Sequence, residues 1–210
     1  FSPNVIMRPL FQEVILPNLC YIGGGGEMAY WLELKDYFEH VKVPFPILLL
    51  RNSVQIISEK QAGKLEKLTI SNEEIFLNQF ELLSQKVIAN SDLEISFKDK
   101  KHFLQQQFME LKEVAEKTDV TFINAVNAQE RKQIKGLENL EKRLLKAEKK
   151  RQKDLVDRIT IIQNELLPNE SLEERQRNFS EFYLAYGNTF IINLKEALKP
   201  LELEFTILEI

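Results

Sequence analysis

Two patterns of apolar positions divide the chain near residue 60. Before it, short apolar runs alternate with loops, and five of the seven prolines fall within the first 46 residues. After it, apolar residues recur every three or four positions, and the next proline is Pro168. Short runs separated by proline are typical of strands and loops, whereas 3- and 4-residue spacing is typical of amphipathic helices. The sequence therefore predicts a mixed α/β segment followed by a helical one.

The first segment predicts a strand, a turn, a helix and a second strand. Residues 14–22 have the composition of a strand interrupted by Pro17, and four glycines follow at 23–26. Residues 28–40 have helical spacing, and Ile47–Leu50 is a continuous apolar run, typical of a parallel strand covered on both faces. We therefore expect a βαβ unit. Because this unit is small, we expect its partner strands to precede Phe1, within a longer polypeptide.

The second segment predicts a long antiparallel helical hairpin over about residues 97–166. Its first helix carries a heptad seam, and the seam residues are Leu104, Phe108, Leu111, Ala115, Thr118, Phe122 and Ala125. The second helix is expected from about 129 to 166, with the turn near 124–128 and Gly136 as an alternative break. Spacing slips near Arg151, which indicates a local change of supercoil.

The carboxyl-terminal segment predicts one helix and a final strand. Ser171 and Glu174 form a capping-box pattern, an aromatic-rich helix follows up to Pro200, and residues 203–207 alternate apolar and polar. We expect this segment to pack back on the first domain or on a second subunit. The predicted domains are therefore 1–58, 59–168 and 169–210, an α/β plus α architecture.

Composition and charge narrow the classes of partner. No apolar run approaches the ~20 residues of a membrane span. The net charge of −4 argues against general attraction to nucleic acid, and the basic run 146–153 carries interspersed acidic residues on a predicted helix, typical of a solvated coiled-coil face. Cys20 is the one cysteine, and its position in an apolar strand favours a buried small side chain over a reactive thiol. His40 and His102 fit no ligand pattern, so no metal site is predicted.

The glycine turn is the first candidate site. Gly23, Gly24, Gly25 and Gly26 stand between a predicted strand and a predicted helix, where backbone N–H groups can converge on a ligand beside a helix N-terminus. The alternative is a tight connection without a ligand. Glu27 in the first helical turn repels phosphate, so it favours an amine, a hydroxyl or a ribose.

Three further groups of residues are candidates. Asn4, Arg8 and Gln12 recur every four positions, but Pro3 and Pro9 favour a polar loop over a helix. Arg8 can pair bidentately with a carboxylate or phosphate, or form an internal salt bridge. Arg51 and Asn52 follow the second strand, at the sheet edge that also holds the glycine turn, or they form a solvated loop. Tyr186, Gly187 and Asn188 interrupt the aromatic helix, through close packing or around a stacked ligand.

Many of these residues also carry a family resemblance. The matching stretches are Ser2-Pro3-Asn4-Val5, Arg8-Pro9, Gln12, Leu16-Pro17-Asn18, Tyr21 to Glu27 with Ala29-Tyr30-Trp31, Val43-Pro44-Phe45-Pro46 and Arg51-Asn52-Ser53. The chain resembles the carboxyl-terminal portion of the bacillithiol biosynthesis cysteine-adding enzymes, densely over the first 55 residues and in architecture through the long helices. It departs at Gly25, where family members commonly have proline.

The resemblance implies a cytoplasmic ligase that joins cysteine to the amino group of glucosaminyl malate through an amide bond. It implies a Rossmann-like core similar to class I aminoacyl-tRNA synthetases and a coiled coil that forms a homodimer. ATP or ADP is the implied cofactor, with Tyr186, Gly187 and Asn188 as an alternative nucleotide site. The expected substrate-binding residues are the four glycines of the turn with Glu27, and Asn4, Arg8, Gln12, Arg51 and Asn52.

Two rival hypotheses remain beside this one. The chain could be a noncatalytic dimerisation or interaction module built on the hairpin, or a synthetase-like RNA binder, which its net negative charge disfavours. The upstream part of a Rossmann core is absent from this sequence. The chain alone is therefore expected to be inactive.

Overall fold

The computed structural model describes residues 3–210; Phe1 and Ser2, which begin the predicted amino-terminal loop, lie outside the described residues. The chain forms two compact units. The first unit joins the chain up to Ile57 with Glu173–Ile210, and the second unit is Ser58–Leu172. In chain order, the second unit is therefore an insertion in the first.

The first unit contains short helices and short parallel strands. Its elements in chain order are α1 Met7–Ile15, β1 Cys20–Gly23, α2 Gly25–Glu33, α3 Lys35–His40, β2 Ile47–Leu50, β3 Ser53–Ile57, α9 Glu173–Gln176, α10 Phe179–Tyr186, α11 Asn188–Ala197 and β4 Phe205–Glu209.

The strands of this unit pair in parallel. β1 pairs with β2, with Cys20 opposite Ile47 and Gly23 opposite Leu50. Their connection runs through α2 and α3, so the predicted βαβ unit is present. β3 pairs with β4, with Ser53 opposite Phe205. The sequence did not predict β3, because residues 53–57 follow β2 after only two residues and carry no turn signal of their own.

The amino-terminal segment differs from its prediction. Residues 7–15 form α1, so the prediction of a loop at Arg8 and Gln12 and of a strand from Val14 was wrong. Pro9 is the third residue of this helix, where the missing N–H would have no partner within the helix. Proline is therefore compatible with this first turn.

An aromatic cluster forms the core beside β1 and β2. Leu10 of α1, Trp31 and Leu34 of α2 and its cap, and Phe38 of α3 are buried together. The ring of Tyr21 stacks on Trp31 with centroids 4.2 Å apart. Burying such large rings is the main stabilising contribution available to this small unit.

The second unit is helical in the described residues. Its α-helices are α4 Glu59–Lys67, α5 Gln79–Ala89, α6 Lys98–Ala115, α7 Val120–Arg151 and α8 Lys153–Leu166, with short 3₁₀ helices at Glu74–Phe76 and Pro168–Glu170. Leu65 of α4 and Leu166 of α8 are both buried beside the same small apolar space, and Lys64 pairs with Glu165 at 3.1 Å. The first and last helices of the unit therefore pack on each other.

The helices α6 and α7 form an antiparallel hairpin. Lys101 pairs with Glu141, and Lys112 pairs with Glu130, so the sequence separation shrinks toward the turn. The turn lies at residues 116–119, and both predicted positions, 124–128 and Gly136, were wrong. The Asp119 side chain accepts from the N–H of Phe122 and starts α7 as an N-cap. Of the predicted seam residues, those up to Ala115 therefore lie on α6, Thr118 lies in the turn, and Phe122 and Ala125 lie on α7.

Three predicted continuous helices are interrupted. The helix expected over residues 28–40 is divided at Leu34 into α2 and α3. α7 ends at Arg151 and α8 starts at Lys153, with Gln152 in a nonhelical conformation, close to the slip in spacing at Arg151. The single helix expected from Ser171 is instead α9, α10 and α11. The side chain of Asn178 caps α10, and Gly187 has φ 61° between α10 and α11, a conformation that favours glycine.

Candidate functional site

The glycine turn is shorter than the sequence suggests. β1 ends at Gly23, Gly24 is the extended N-cap, and α2 begins at Gly25, so Gly25 and Gly26 are helical. Gly23 and Gly24 are buried, whereas Gly25 and Gly26 are exposed, and a Cβ at either would have no atom within 4 Å. The first N–H groups of a helix have no partner within it, so this end of α2 presents backbone donors to open space.

Glu27 closes part of this turn. Its Oε2 atom accepts a hydrogen bond of 2.8 Å from the N–H of Gly24, which is the half of a capping box that a glycine N-cap allows. This contact uses one oxygen of the carboxylate and holds the side chain against its own helix. Glu27 therefore has a structural role that accounts for its position in the first turn of α2.

Two arginines converge on Gly24. A Cβ built on Gly24 would lie 3.5 Å from Nη2 of Arg175 and 3.5 Å from Nε and Cζ of Arg51. Arg51 directly follows β2, and its N–H donates to the carbonyl of Gly23 at 2.9 Å, which fixes it at the carboxyl edge of the sheet. Both guanidinium groups therefore lie at ordinary van der Waals distance from this position.

Arg51 and Arg175 bring two positive charges to this point, where the carboxylates of Glu27 and Glu174 also lie. The side chain of Arg51 forms no hydrogen bond or ion pair within residues 3–210. Arg175 has one carboxylate neighbour, Glu174, with Nε and Oε1 3.8 Å apart. The positive end of the α2 dipole adds to the two guanidinium groups, and each guanidinium can bind a carboxylate or phosphate through two N–H groups. We call Gly24, Arg51, Arg175 and the start of α2 the arginine site.

The predicted amino-terminal ligands have contacts elsewhere. The side chain of Asn4 accepts from the N–H of Met7 at 2.9 Å, before α1. Arg8 is exposed and Gln12 half-buried on α1. The contacts of this segment include a hydrogen bond from Tyr30 to the carbonyl of Val5. Within the described residues, no hydrogen bond joins Asn4, Arg8 or Gln12 to the glycine turn.

Asn52 also has structural partners. Its amide donates to the carbonyls of Lys199 and Glu202 at 3.0 and 3.2 Å, which ties the β2–β3 connection to the chain before β4. Arg51 and Asn52 are adjacent in sequence, but the structure brings only Arg51 to Gly24. A substrate that accepted from the amide of Asn52 would therefore have to replace these two hydrogen bonds.

In the segment Tyr186, Gly187 and Asn188, the predicted nucleotide site, the backbone of Gly187 has partners in the neighbouring helices. The N–H of Gly187 donates to the carbonyl of Tyr183 at 2.7 Å, and the Gly187 carbonyl accepts from the N–H of Phe190. These backbone groups form the junction of α10 and α11. Tyr186 is 39% exposed and supplies one accessible ring.

A buried charge network lies behind the arginine site and was not predicted. Glu173 is 3% exposed; its Oε1 accepts from Arg177 at 2.7 Å and its Oε2 from Gln55 at 2.9 Å. Burial raises the pKa of the Glu173 carboxyl, against the opposing effect of its bonds with Arg177 and the N–H of Ile56. These bonds fasten α9 to β3 and so position Arg175. The capping-box pattern at 171–174 marked a helix start but carried no sign of this contact.

The structure also describes the exposure of Cys20, the grouping of possible metal ligands and the character of the helices. Cys20 is exposed, so the expectation of a buried cysteine was wrong; β1 leaves that side of its first residue uncovered in this chain. Among the described residues, no three His, Cys, Asp or Glu side chains cluster so as to hold a metal ion. In the same part of the chain, no helix combines the length and apolar character that crossing a membrane requires.

Two family models together match nearly the whole chain. The model described as Bacillithiol biosynthesis BshC, N-terminal Rossmann-like domain, matches residues 1–52. The model described as Bacillithiol biosynthesis BshC, C-terminal coiled-coil domain, matches residues 54–210. The boundary between the two models falls at Ser53, the first residue of β3, two residues after Arg51 of the arginine site.

Curated relatives from several bacteria match over nearly the full chain and are named "Putative cysteine ligase BshC". Those of Christiangramia forsetii and Flavobacterium johnsoniae are 61% and 54% identical over 99% and 100% of this chain. A relative from Cytophaga hutchinsonii is 34% identical over 95% of it. The matches cover only 38 to 40% of these relatives. The chain therefore spans about two-fifths of their length.

Proposed function

Because the chain belongs to the bacillithiol biosynthesis BshC family, we propose that it forms part of a cysteine ligase whose arginine site binds the anionic portion of the substrate. The proposed reaction joins the carboxyl group of cysteine to the amino group of glucosaminyl malate as an amide. The two carboxylates of the malate portion are the groups assigned to the arginine site.

The convergence of Arg51 and Arg175 on Gly24 carries this proposal. Both guanidinium groups lie 3.5 Å from the position of a Gly24 Cβ, beside the open N–H groups of α2. A dicarboxylate can engage both planar groups at once, and charge-assisted bonds of this kind are roughly twice as strong as neutral ones. Arg8 and Asn4 remain predicted ligands that have no contact with this site in the described residues.

Amide formation needs an activated carboxyl group. The arginine site contains no serine, cysteine or lysine that could carry an acyl intermediate. We therefore propose that a nucleotide, ATP or ADP, activates the carboxyl group of cysteine. When bound, the nucleotide would supply the leaving group for the cysteine carboxyl. Tyr186, Gly187 and Asn188 remain the proposed nucleotide site, with the exposed ring of Tyr186 as a stacking surface. We expect the chain alone to be inactive.

A graft enzyme provides the test. In it, this chain replaces the matching 39% of the Christiangramia forsetii relative. We expect Arg51→Ala and Arg175→Ala each to raise the KM for glucosaminyl malate by ~10- to 100-fold, the value of a lost charge-assisted bond. Arg51→Lys should raise the KM for glucosaminyl malate by less than Arg51→Ala does, because lysine keeps the charge but not the two-pronged hydrogen bonding.

The control for this test is Arg143→Ala. Arg143 is an exposed arginine on α7 without a described ion pair. It should leave KM within about twofold, the range of surface changes away from a site. Normal KM values in both Ala variants of the arginine site, in an active and folded graft enzyme, would overturn the proposal.

A second function, homodimerisation through the hairpin, has its own supporting observation. Phe103 and Val114 of α6 are 62% and 56% exposed and lie 11 residues apart, within about 20° on one face of the helix. That face points away from Phe108, one of the buried residues of the hairpin. We propose that it meets a second copy of the chain, and that the ligase works as a cytoplasmic dimer, the state and compartment that the resemblance implies.

A further inference from the structure

An aromatic cavity of about 220 Å³ lies in the first unit beside the arginine site. Three phenylalanines and three charged residues line it, with aliphatic side chains of β3 completing the wall: Phe179, Phe182, Phe190, Glu173, Glu174 and Arg177. The volume is below the ~300–1,000 Å³ of sites for drug-sized molecules, so it suits a ligand of one ring. Neither the resemblance nor the sequence assigned this cavity a role.

Two of its charged residues already have strong partners. Arg177 bonds Glu173 at 2.7 Å and Glu181 at 2.8 Å, and its guanidinium lies 4.6 Å from the centre of the Phe182 ring. Glu173 also accepts from Gln55 and from the N–H of Ile56. These two residues therefore form a wall of the cavity and have little capacity left for a ligand.

Glu174 is different, because its polar contacts are long. Its Oε1 atom lies 3.4 Å from Oγ of Ser53 and 3.8 Å from Nε of Arg175. The side chain is 21% exposed. A half-buried carboxylate with incomplete hydrogen bonding is suited to accept from an ammonium or from hydroxyl groups of a ligand.

We infer that the aromatic cavity binds the amino-sugar portion of the substrate, with Glu174 accepting from its amino and hydroxyl groups. A sugar ring presents C–H groups that pack on aromatic faces, while its hydroxyl and amino groups donate to a carboxylate. The three phenylalanines and Glu174 supply these two kinds of contact. The inference rests on the proposed function, since it takes glucosaminyl malate as the substrate.

The neighbouring positions of Glu174 and Arg175 join the two subsites. Glu174 lines the cavity, and the next residue places its guanidinium 3.5 Å from the Gly24 position in the arginine site. A substrate with an acidic portion and an amino-sugar portion would therefore contact both residues. The position of α9, which the bonds of Glu173 hold in place, therefore sets the spacing between the two subsites.

The test compares three probes on the graft enzyme by calorimetry: glucosaminyl malate, L-malate and methyl α-D-glucosaminide. We expect Glu174→Gln to weaken glucosaminyl malate and the glucosaminide by ~10-fold, and L-malate by less than about twofold. Phe179→Ala, on a 62% exposed ring whose loss leaves the core intact, should act in the same direction. Arg175→Ala should weaken L-malate as well.

Glu196→Gln is the matched control, an exposed glutamate of α11 that should change no affinity. If L-malate binds and depends on Arg51 and Arg175, but Glu174→Gln and Phe179→Ala both leave the glucosaminide unaffected, the cavity inference is wrong and the proposed function stands. If neither arginine affects L-malate or glucosaminyl malate, the proposed function itself fails. Circular dichroism of each variant verifies folding, and Glu174→Asp replaces Glu174→Gln if the latter is unfolded.

Discussion

The carboxylate of Glu27 accepts a 2.8 Å hydrogen bond from the N–H of Gly24, three residues earlier. We expect Glu27→Ala to lower the free energy of unfolding by about 1 kcal/mol through loss of this cap, and Glu27→Gln to retain most of it. Trp31, the one tryptophan, lies in the core of the first unit, so its fluorescence during urea denaturation reports on that unit. Glu33→Ala, at the far end of α2, is the control.

If Glu27→Gln kept the denaturation midpoint but abolished substrate binding, Glu27 would be a ligand and the purely structural interpretation would be wrong.

The glycines of the turn should differ in their tolerance of a methyl group. At Gly23, a Cβ would lie 2.9 Å from Cε1 of Tyr21 and 3.2 Å from Cβ of Glu27, so Gly23→Ala should destabilise the unit by about 1–3 kcal/mol. At Gly26 no atom lies within 4 Å, and Gly26→Ala should stabilise it by about 0.5–1 kcal/mol. Urea denaturation followed by Trp31 fluorescence measures both. Equal effects would contradict the close packing at Gly23.

The exposed face of α6 should determine the oligomeric state. Phe103→Lys and Val114→Lys put charge into the proposed dimer interface, so light scattering should show a shift from dimer to monomer. Met109→Lys is the matched control, because Met109 is also 62% exposed but lies on another side of the helix. A dimer that survives both changes, or a Met109 variant that dissociates equally, would contradict the assigned face.

Acid should destabilise the helical unit through Glu148. Bonds from Arg151, Gln152 and Ser91 lower the pKa of its carboxyl to about 2. Because the unfolded value is about 4.3, the ionised form stabilises the folded state above that pH. This contribution should be lost progressively as the pH falls from about 4.5 toward 2.

Denaturation at several pH values, followed by circular dichroism, measures the effect. Glu148→Gln should flatten the acid side of the stability profile, whereas Glu138→Gln, at an exposed position of α7, should leave it unchanged. An unaltered profile in the Glu148 variant would show that another carboxyl group is responsible.

Local signals in the sequence predicted local structure well. The apolar runs and glycines located β1, α2 and β2, because strand and turn preferences act over a few residues. The cap at Asp119 was overlooked, since the heptad spacing continues through it. Pro9 was misread, because proline is unfavourable inside a helix but compatible with its first turn.

The arginine site was only half predictable. Arg51 follows a strand whose carboxyl end lies beside that of β1, so the parallel-sheet rule brought it to the glycine turn. Arg175 is 151 positions from Gly24, and its arrival there depends on the buried bonds of Glu173 with Gln55 and Arg177. No spacing within one segment contains that information.

The parallel pairing of Ser53 with Phe205 has a consequence for the order of folding. These residues are 152 positions apart, and closing so long a loop of disordered chain costs entropy before any strand contact forms. The helical unit reduces this cost, because α4 and α8 hold its two ends together. Lys64 pairs with Glu165, and leucines of both helices are buried. Once these helices have associated, the effective length of the loop between β3 and β4 is much shorter, and the two strands can pair at a lower entropic cost. We therefore expect the insertion to acquire its structure first and to act as an internal template for the strands on either side.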